Sequence, residues 1–223
     1  MGPGFDVPST QAALWCWIRG DDRGDIMHAG RHLQHAVAEA FETDDVIDAF
    51  RHREGLDLTG YEDGTENPEG EDAAAAALVA GAGPGADDAS FVAVQQWVHD
   101  FEVFEAKPVA DRDDIIGRRL SDNEELADAP PSAHVKRTAQ ESFTPEAFIL
   151  RRSMPWADEY AAGLQFVAFG KSFDAFEAQL RRMVGAEDGI ADALFTFTRP
   201  VTGAYFWCPP MKDGRPDLGR LGM

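Results

Sequence analysis

Gly60-Tyr61-Glu62-Asp63-Gly64-Thr65-Glu66-Asn67-Pro68 packs nine consecutive residues of turn and acid chemistry behind an extended segment. Asp-Gly and Asn-Pro are turn formers, because Gly reaches the left-handed region freely and Pro fixes φ. A hairpin needs fewer such residues, so the excess makes Asp63 a candidate for more than a turn. The polar loop opens at Leu58. Before it the pattern predicts a buried strand over Ala12–Ile18, a helix over Asp21–Phe41 and a strand of mixed character over Asp45–Glu54. The helix is the clearest of these: Ile26, Ala29, Leu33, Ala36, Val37, Ala40 and Phe41 recur three and four apart.

After the loop, Asp72–Ala80 reads as a short helix closed by the Gly81–Gly85 cluster, a surface linker without the Lys-Ser/Thr of a phosphate-binding loop. Phe91–Phe104 alternates and predicts a long strand; Arg112–Leu120 predicts a short helix. Ser121–Ser132 is an acidic loop, and Ala133–Thr138 a short strand or extended stretch. Phe148–Met154 and Gly163–Gly170 read as strands, Phe173–Val184 as an amphipathic helix, and Ala193–Phe197 and Ala204–Trp207 as closing apolar runs. This order suggests an α+β protein of antiparallel sheets with helices on one face.

Forty acidic against twenty basic residues give a net charge of −20. That balance argues against duplex nucleic acid, whose phosphates need a basic face, and against an anionic membrane surface. Cys16 and Cys208 stand far apart in no ligand spacing, so neither a disulfide framework nor a zinc cage is expected. No apolar run approaches the length of a membrane span, and no secretory leader is legible. The expectation is a cytoplasmic protein.

Singly, the chemical candidates have ordinary explanations. Six histidines compete for a ligand role. His28, His32 and His35 belong on a solvated helix face, His52 on a polar strand, and His99 suits a hydrogen-bonded core position. His134 enters an otherwise apolar half of the chain, where a neutral imidazole could reach a buried metal. Arg151 in a strand is ordinarily half of an ion pair, and Asp192 before an apolar run ordinarily a cap.

The combination is more telling. Gly60–Pro68 looks like the GxxDGTENP signature of the dye-decolorising peroxidases. Ile115-Ile116-Gly117-Arg118 resembles that family's IIGR segment, and Ser132-Ala133-His134-Val135-Lys136-Arg137 its proximal-histidine segment. Leu150-Arg151-Arg152-Ser153-Met154-Pro155, followed by Gly163-Leu164-Gln165-Phe166, resembles its distal-arginine strand and the strand beside it. All come in family order.

The resemblance implies a hydrogen-peroxide-dependent oxidation of a one-electron organic donor at one heme b per chain. His134 would be the axial iron ligand and Asp192 the carboxylate that takes its other N–H. Asp63, Arg151 and Ser153 would stand on the opposite, distal face, the charge of Arg151 lowering the pKa of Asp63. Thr65, Arg118 and Phe166 would lie against the cofactor. Trp97, Trp156, Tyr160, Tyr205 and Trp207 could relay electrons, although core packing accounts for each. The alternative function is heme handling with incidental turnover. Relatives often associate into homo-oligomers. The Leu-Gly-rich C-terminus is faintly similar to tails that direct some relatives into protein nanocompartments, although a frayed tail accounts for it.

The implied fold is two ferredoxin-like halves with antiparallel sheets and helices packed outside, divided here into residues 1–88 and 89–223. The first half is N-terminally truncated: the upstream strand, helix and second strand of relatives are missing. The strands at 12–18 and 45–54 would then lack the neighbour between them. A late start site or a fragment would explain this. The rival is a genuine short form completed by pairing of those two strands or by a second subunit.

Overall fold

The computed structural model describes residues 5–222. Its elements are α1 (Arg23–Val37), α2 (Gly70–Ala77), β1 (Ser90–His99), α3 (Phe101–Glu105), α4 (Val109–Ile116), α5 (His134–Arg137), β2 (Leu150–Arg151), β3 (Met154–Ala157), β4 (Ala162–Gly170), α6 (Asp174–Met183), β5 (Thr198–Pro200) and β6 (Ala204–Cys208). A small hairpin of β7 (Met211–Lys212) and β8 (Arg215–Pro216) follows.

The sheet grows from β1, whose sequence SFVAVQQWVH is shielded on both faces. It pairs antiparallel with β4 from Phe91↔Gly170 to Val98↔Gly163. Its other edge takes β5 and β6, while β2 and β3 pair on the far side of β4. With α3–α5 in the first crossover and α6 in the second, this is the β-α-β-β-α-β order of a ferredoxin-like half. The chain is an α+β protein.

Alternation along β1 separates two cores. Ala93 joins Ile149, Ala168 and Phe176 of α6 on one face. Val92 and Val94 join Val167 on the other, with Trp15, Phe169 and Phe206 packed around them. Trp15 thereby corrects the expected strand at 12–18. The run lies extended across the outer face, its rings stacked on Phe206 and Phe169 at 6.0 and 6.1 Å, without forming a ladder. Its approach is fixed at the sheet edge, where Thr10 N–H donates to Gly203 O and Gln11 exchanges two hydrogen bonds with the Tyr205 backbone. The strand expected at 45–54 is likewise not formed; only a bridge joins Ala49 to Trp156. The two segments do not pair with each other, so their backbones carry no sheet register.

Helix α1 forms where the periodicity puts it, with Asp22 capping the Asp25 N–H. Its apolar stripe Ile26, Leu33 and Val37 is only partly covered. The long strand expected to Phe104 stops at His99, because Asp100 caps α3 by accepting the Val103 N–H. Phe104 is thereby delivered to a third core with Tyr61, Ile115 and Phe197. The strand expected over 148–154 breaks into β2 and β3 at Arg152-Ser153, and the apolar run after Asp192 forms a 3₁₀ turn at Ala193–Thr196. Among the described residues, no helix is long and apolar enough to cross a membrane.

Gly117 ends α4 in the left-handed region at φ +92°. A Cβ there would stand 2.7 Å from Val135 Cγ2 and 3.2 Å from Ala133 Cβ, beside the segment that carries His134. Gly117→Ala is expected to destabilise the fold by about 2 kcal/mol, from backbone strain and crowding. Thermal unfolding should show a fall of about 4–8 °C for a chain of this size; an unchanged midpoint would mean that the contact relaxes freely.

Candidate active site

Ala133–Thr138 is a helical turn, not the extended stretch expected. The Arg137 N–H returns to Ala133 O, and Thr138 donates both its N–H and its hydroxyl to His134 O. The turn places His134 Nδ1 2.8 Å from Asp192 Oδ2. Asp192 is buried, its side chain fully removed from solvent. A carboxylate can only accept, so Nδ1 carries a proton in this bond; in the neutral imidazole that leaves the lone pair on Nε2. The other oxygen of Asp192 accepts the Leu194 N–H at 2.9 Å, and its own N–H donates to Met183 O. Asp192 is thus both a cap, as its local sequence reads, and the partner of His134.

The Asp63 loop is a folded hairpin. Asp57 N–H donates to Tyr61 O, Asp63 N–H donates to Gly55 O, and Gly60 and Gly64 take φ of +91° and +83°. Three side chains fasten it. Tyr61 O–H donates to Asp113 at 2.5 Å, and burial together with that bond pushes its phenol pKa up. Gln140 Nε2 donates to Glu66 O while Gln140 Oε1 accepts the Ile149 N–H. Asn67 closes a two-point pair with the Arg151 backbone, accepting its N–H at 2.8 Å and donating to its carbonyl at 3.1 Å. The Asn67 pair joins the Asp63 loop directly to the strand that carries Arg151.

Asp63 is the electrostatic centre of this arrangement. Burial pushes its carboxyl above the ordinary range. The charge of Arg151 pulls the other way, Asp57 adds to the upward shift, and the Gly64 backbone N–H lowers it slightly. Arg151 therefore acts in the expected direction but is outweighed by burial. Asp63 lies within range of the charge of Arg151. Arg151 Nε is buried with no partner among the described residues.

The remaining expected residues divide. Ser153 is half-buried, its hydroxyl accepting the Val167 N–H at the break between β2 and β3. Phe166 packs toward Phe176, ring centroids 5.8 Å apart. Arg118 pairs with Glu66 and donates to Asn123 O, which ties it to the loop. Thr65 is exposed and accepts from Asn123 Nδ2. His99 is a hydrogen-bonded core residue, with Nδ1 against Thr198 Oγ1 and Nε2 against Asp57. Burial opposes ionisation of Asp57, yet bonds from His99 and Thr59 hold its carboxyl below the usual range. His28, His32 and His35 are exposed on α1, and no cluster of three metal-binding side chains occurs among the described residues.

The raised carboxyl of Asp63 gives a stability prediction of definite sign. Because its folded pKa exceeds the unfolded value of 3.8, ionising Asp63 opposes folding. Its contribution is fully present below about 3.8 and is lost as pH rises through the folded pKa. Asp63→Asn cannot ionise, so the cofactor-free variant should melt above the parent at neutral pH. Each kcal/mol relieved shows as about 2–4 °C. The gap should close on acidification; a gap independent of pH would assign the difference to packing.

These residues make a ferredoxin-like α+β framework with a carboxylate-backed histidine and an Asp63 carboxyl within reach of the Arg151 charge. The chain belongs to the Dyp-type peroxidase family: the model of the family's C-terminal region matches residues 54–213. It is 30% identical to the dye-decolorizing peroxidase of Rhodococcus erythropolis, over 97% of this chain and 66% of that protein. The corresponding protein of Mycolicibacterium paratuberculosis is 29% identical over 99% of this chain and 65% of its own length. The chain thus spans about two thirds of the length of these relatives. Among solved structures, the V. cholerae dye-decolorizing protein matches with a TM-score of 0.80 and 32% identity, covering 93% of this chain and 70% of the other. A Rhodococcus jostii DypB variant solved in complex with heme matches with a TM-score of 0.83 at 29% identity, covering 94% and 70%.

Asn67 and Gln140 are the residues that sequence reasoning missed as contributors to the site. Asn67 stood in plain view, but inside a motif where Asn-Pro already had a turn to explain it. Gln140 gave no signal, since nothing local marks a glutamine that will satisfy two distant backbones.

Proposed function

We propose that the chain binds one heme b through His134 and reduces hydrogen peroxide at the expense of a one-electron organic donor. The division into halves at residues 88/89 and a cytoplasmic setting belong to the same reading. One observation carries it: Asn67 fastens the Asp63 loop to the backbone of Arg151, in a chain that also holds an Asp192-backed imidazole. The donor set fits the group. A neutral imidazole whose Nδ1–H is engaged keeps its lone pair on Nε2, which suits iron, and the buried, unpartnered Arg151 Nε suits an anionic oxygen ligand.

Bound heme would supply the electrons that break the O–O bond. The protein's part is proton and charge management. Asp63 takes a proton from one peroxide oxygen and returns it to the other, which leaves as water; its raised carboxyl brings the pKa nearer neutral pH, where such shuttling is efficient. Arg151 stabilises the negative charge that grows on the departing oxygen. Asp192 holds the His134 tautomer and makes the imidazole a stronger donor. Ser153 is the remaining distal polar side chain, and Phe166, Arg118 and Thr65 complete the proposed surroundings, the last two by shaping the loop. A heme carrier would need neither the buried carboxylate nor the arginine. Self-association and capture through the C-terminal tail, carried by resemblance alone, would raise the mass in light scattering.

The test is an absorption spectrum with and without added heme, followed by one equivalent of peroxide. Heme uptake should give a Soret band, and peroxide should displace it within milliseconds to seconds. No uptake, or a band that never shifts, would overturn the reading.

A further inference from the structure

We propose that Arg137 is a positioning residue for His134, forming with Asp188 a second rung that locks the turn α5 against the loop bearing Asp192. The inference rests on reading His134 as the ligand. A four-residue helix has little orientation of its own, because one helical turn fixes several dihedrals for very few hydrogen bonds. His134 and Arg137 stand at its first and last positions, three apart and therefore on one face. Both reach the same loop. The imidazole meets Asp192, and four residues earlier Asp188 receives Arg137 in a fork: Nη1 to Oδ2 and Nη2 to Oδ1, each at 2.8 Å.

The second rung is built rather than casual. The Arg137 side chain is 5% exposed, and its Nη2 also donates to Arg182 O near the end of α6. Asp188 Oδ1 accepts the Ile190 N–H besides, so the carboxylate is held from its own loop. Gly185 and Gly189 take φ of +71° and +81°, and a bridge between Val184 and Ala191 closes the turn. Ala193 N–H donates to Ser132 O, which ties the backbones beside the first rung. The Arg137 bonds hold the Asp188 carboxyl down at about 2, so the pair persists at any working pH. Two parallel rungs resist rotation of α5 about the His134–Asp192 bond, which a single rung does not.

Lysine offers charge without a fork, so Arg137→Lys should fail to replace arginine here. The test compares Arg137→Met, Arg137→Lys and Asp188→Asn with a variant in the core on the opposite face of the sheet, Val92→Ala, as control for lost stability. In cofactor-free protein labelled at histidine nitrogen, the low-field Nδ1–H resonance of His134 should shift or broaden in both Arg137 variants and less in Asp188→Asn. It should hold its place in Val92→Ala. In heme-loaded ferrous protein the iron–histidine stretching band should move or split in the same order, with affinity for heme falling about tenfold. Identical His134 signals in folded Arg137 variants would overturn the proposal, as would equal changes in Val92→Ala. If Arg137→Met does not fold, Asp188→Asn decides alone: an unmoved resonance overturns the proposal and a moved one supports it. A parent protein that takes up no heme would sink the functional reading, yet the nitrogen resonance would still test the clamp.

Discussion

Asp63→Ala and Arg151→Leu should each slow the reaction of the heme-loaded protein with peroxide by about 10²–10⁴-fold while leaving the resting Soret band in place. The two substitutions remove different services. Alanine at 63 leaves no group to carry the proton between the peroxide oxygens, and water in a shielded pocket is a poor replacement. Leucine at 151 keeps much of the volume but withdraws the fixed positive charge, so negative charge on the leaving oxygen goes unanswered. The charge of Arg151 holds the Asp63 carboxyl below where burial alone would put it, so the leucine variant should push that carboxyl further up. Its rate should then regain ground as pH rises, whereas the alanine variant should be flat over the same range. Because the two groups act on one event, the double variant should lose less than the product of the single losses. Stopped-flow mixing at several pH values reads all three. Single-variant rates equal to the parent would mean that neither group takes part in cleavage, and the alternative of heme handling would gain.

Asn67 sharpens the same expectation. It binds the backbone of Arg151 through both of its polar atoms, so the distance between the Asp63 loop and the arginine is set by one amide side chain. That geometry was not legible in the sequence, although the residue was. The difference runs through the whole molecule. Strands β1 and β4 and helices α1 and α6 were legible because burial on one or two faces leaves a period of two or about 3.6 in the chain. The run at 12–18 has the same apolar content, yet its tryptophans lie across the sheet and are only half covered there. Apolarity encodes burial and does not say whether the backbone will find a ladder partner.

His134 shows the other side of this limit. Around it the composition permitted a strand, and the chain instead makes one helical turn, decided by Thr138 and by two rungs to residues more than fifty positions away. Asp63, Arg151, His134 and Asp192 came from motif order rather than from any periodicity. Arg137 sat inside the same quoted segment and drew no attention, because an arginine beside a lysine reads as surface. Only its burial against Asp188 separates it from Lys136, whose ammonium reaches Glu125 at the surface.

Asp192→Asn should lower affinity for heme by about 10–100-fold and destabilise the cofactor-free chain by about 1–3 kcal/mol. The carboxylate now accepts two N–H groups, one from His134 and one from Leu194. Asparagine has one oxygen and one amide nitrogen, so it can accept at only one of these places and must present N–H hydrogens at the other. If its oxygen faces His134, the Leu194 N–H loses its acceptor and the turn at 193–196 loses its cap. If its oxygen faces Leu194, the amide nitrogen meets Nδ1, and the imidazole must move its proton to Nε2 to avoid opposing donors. That tautomer has no lone pair on Nε2 for the iron. Asp192→Ala should cost more stability, because both N–H groups lose their partner and the side chain leaves a void. It does not force the tautomer, however, so its loss of affinity should be smaller than that of asparagine relative to its loss of stability. Heme titration and thermal unfolding on the three proteins separate the two effects. At 1% exposure there is no ready route for solvent to stand in for the missing oxygen. Full affinity in the asparagine variant would therefore mean that the bond to Asp192 does not set the state of the imidazole.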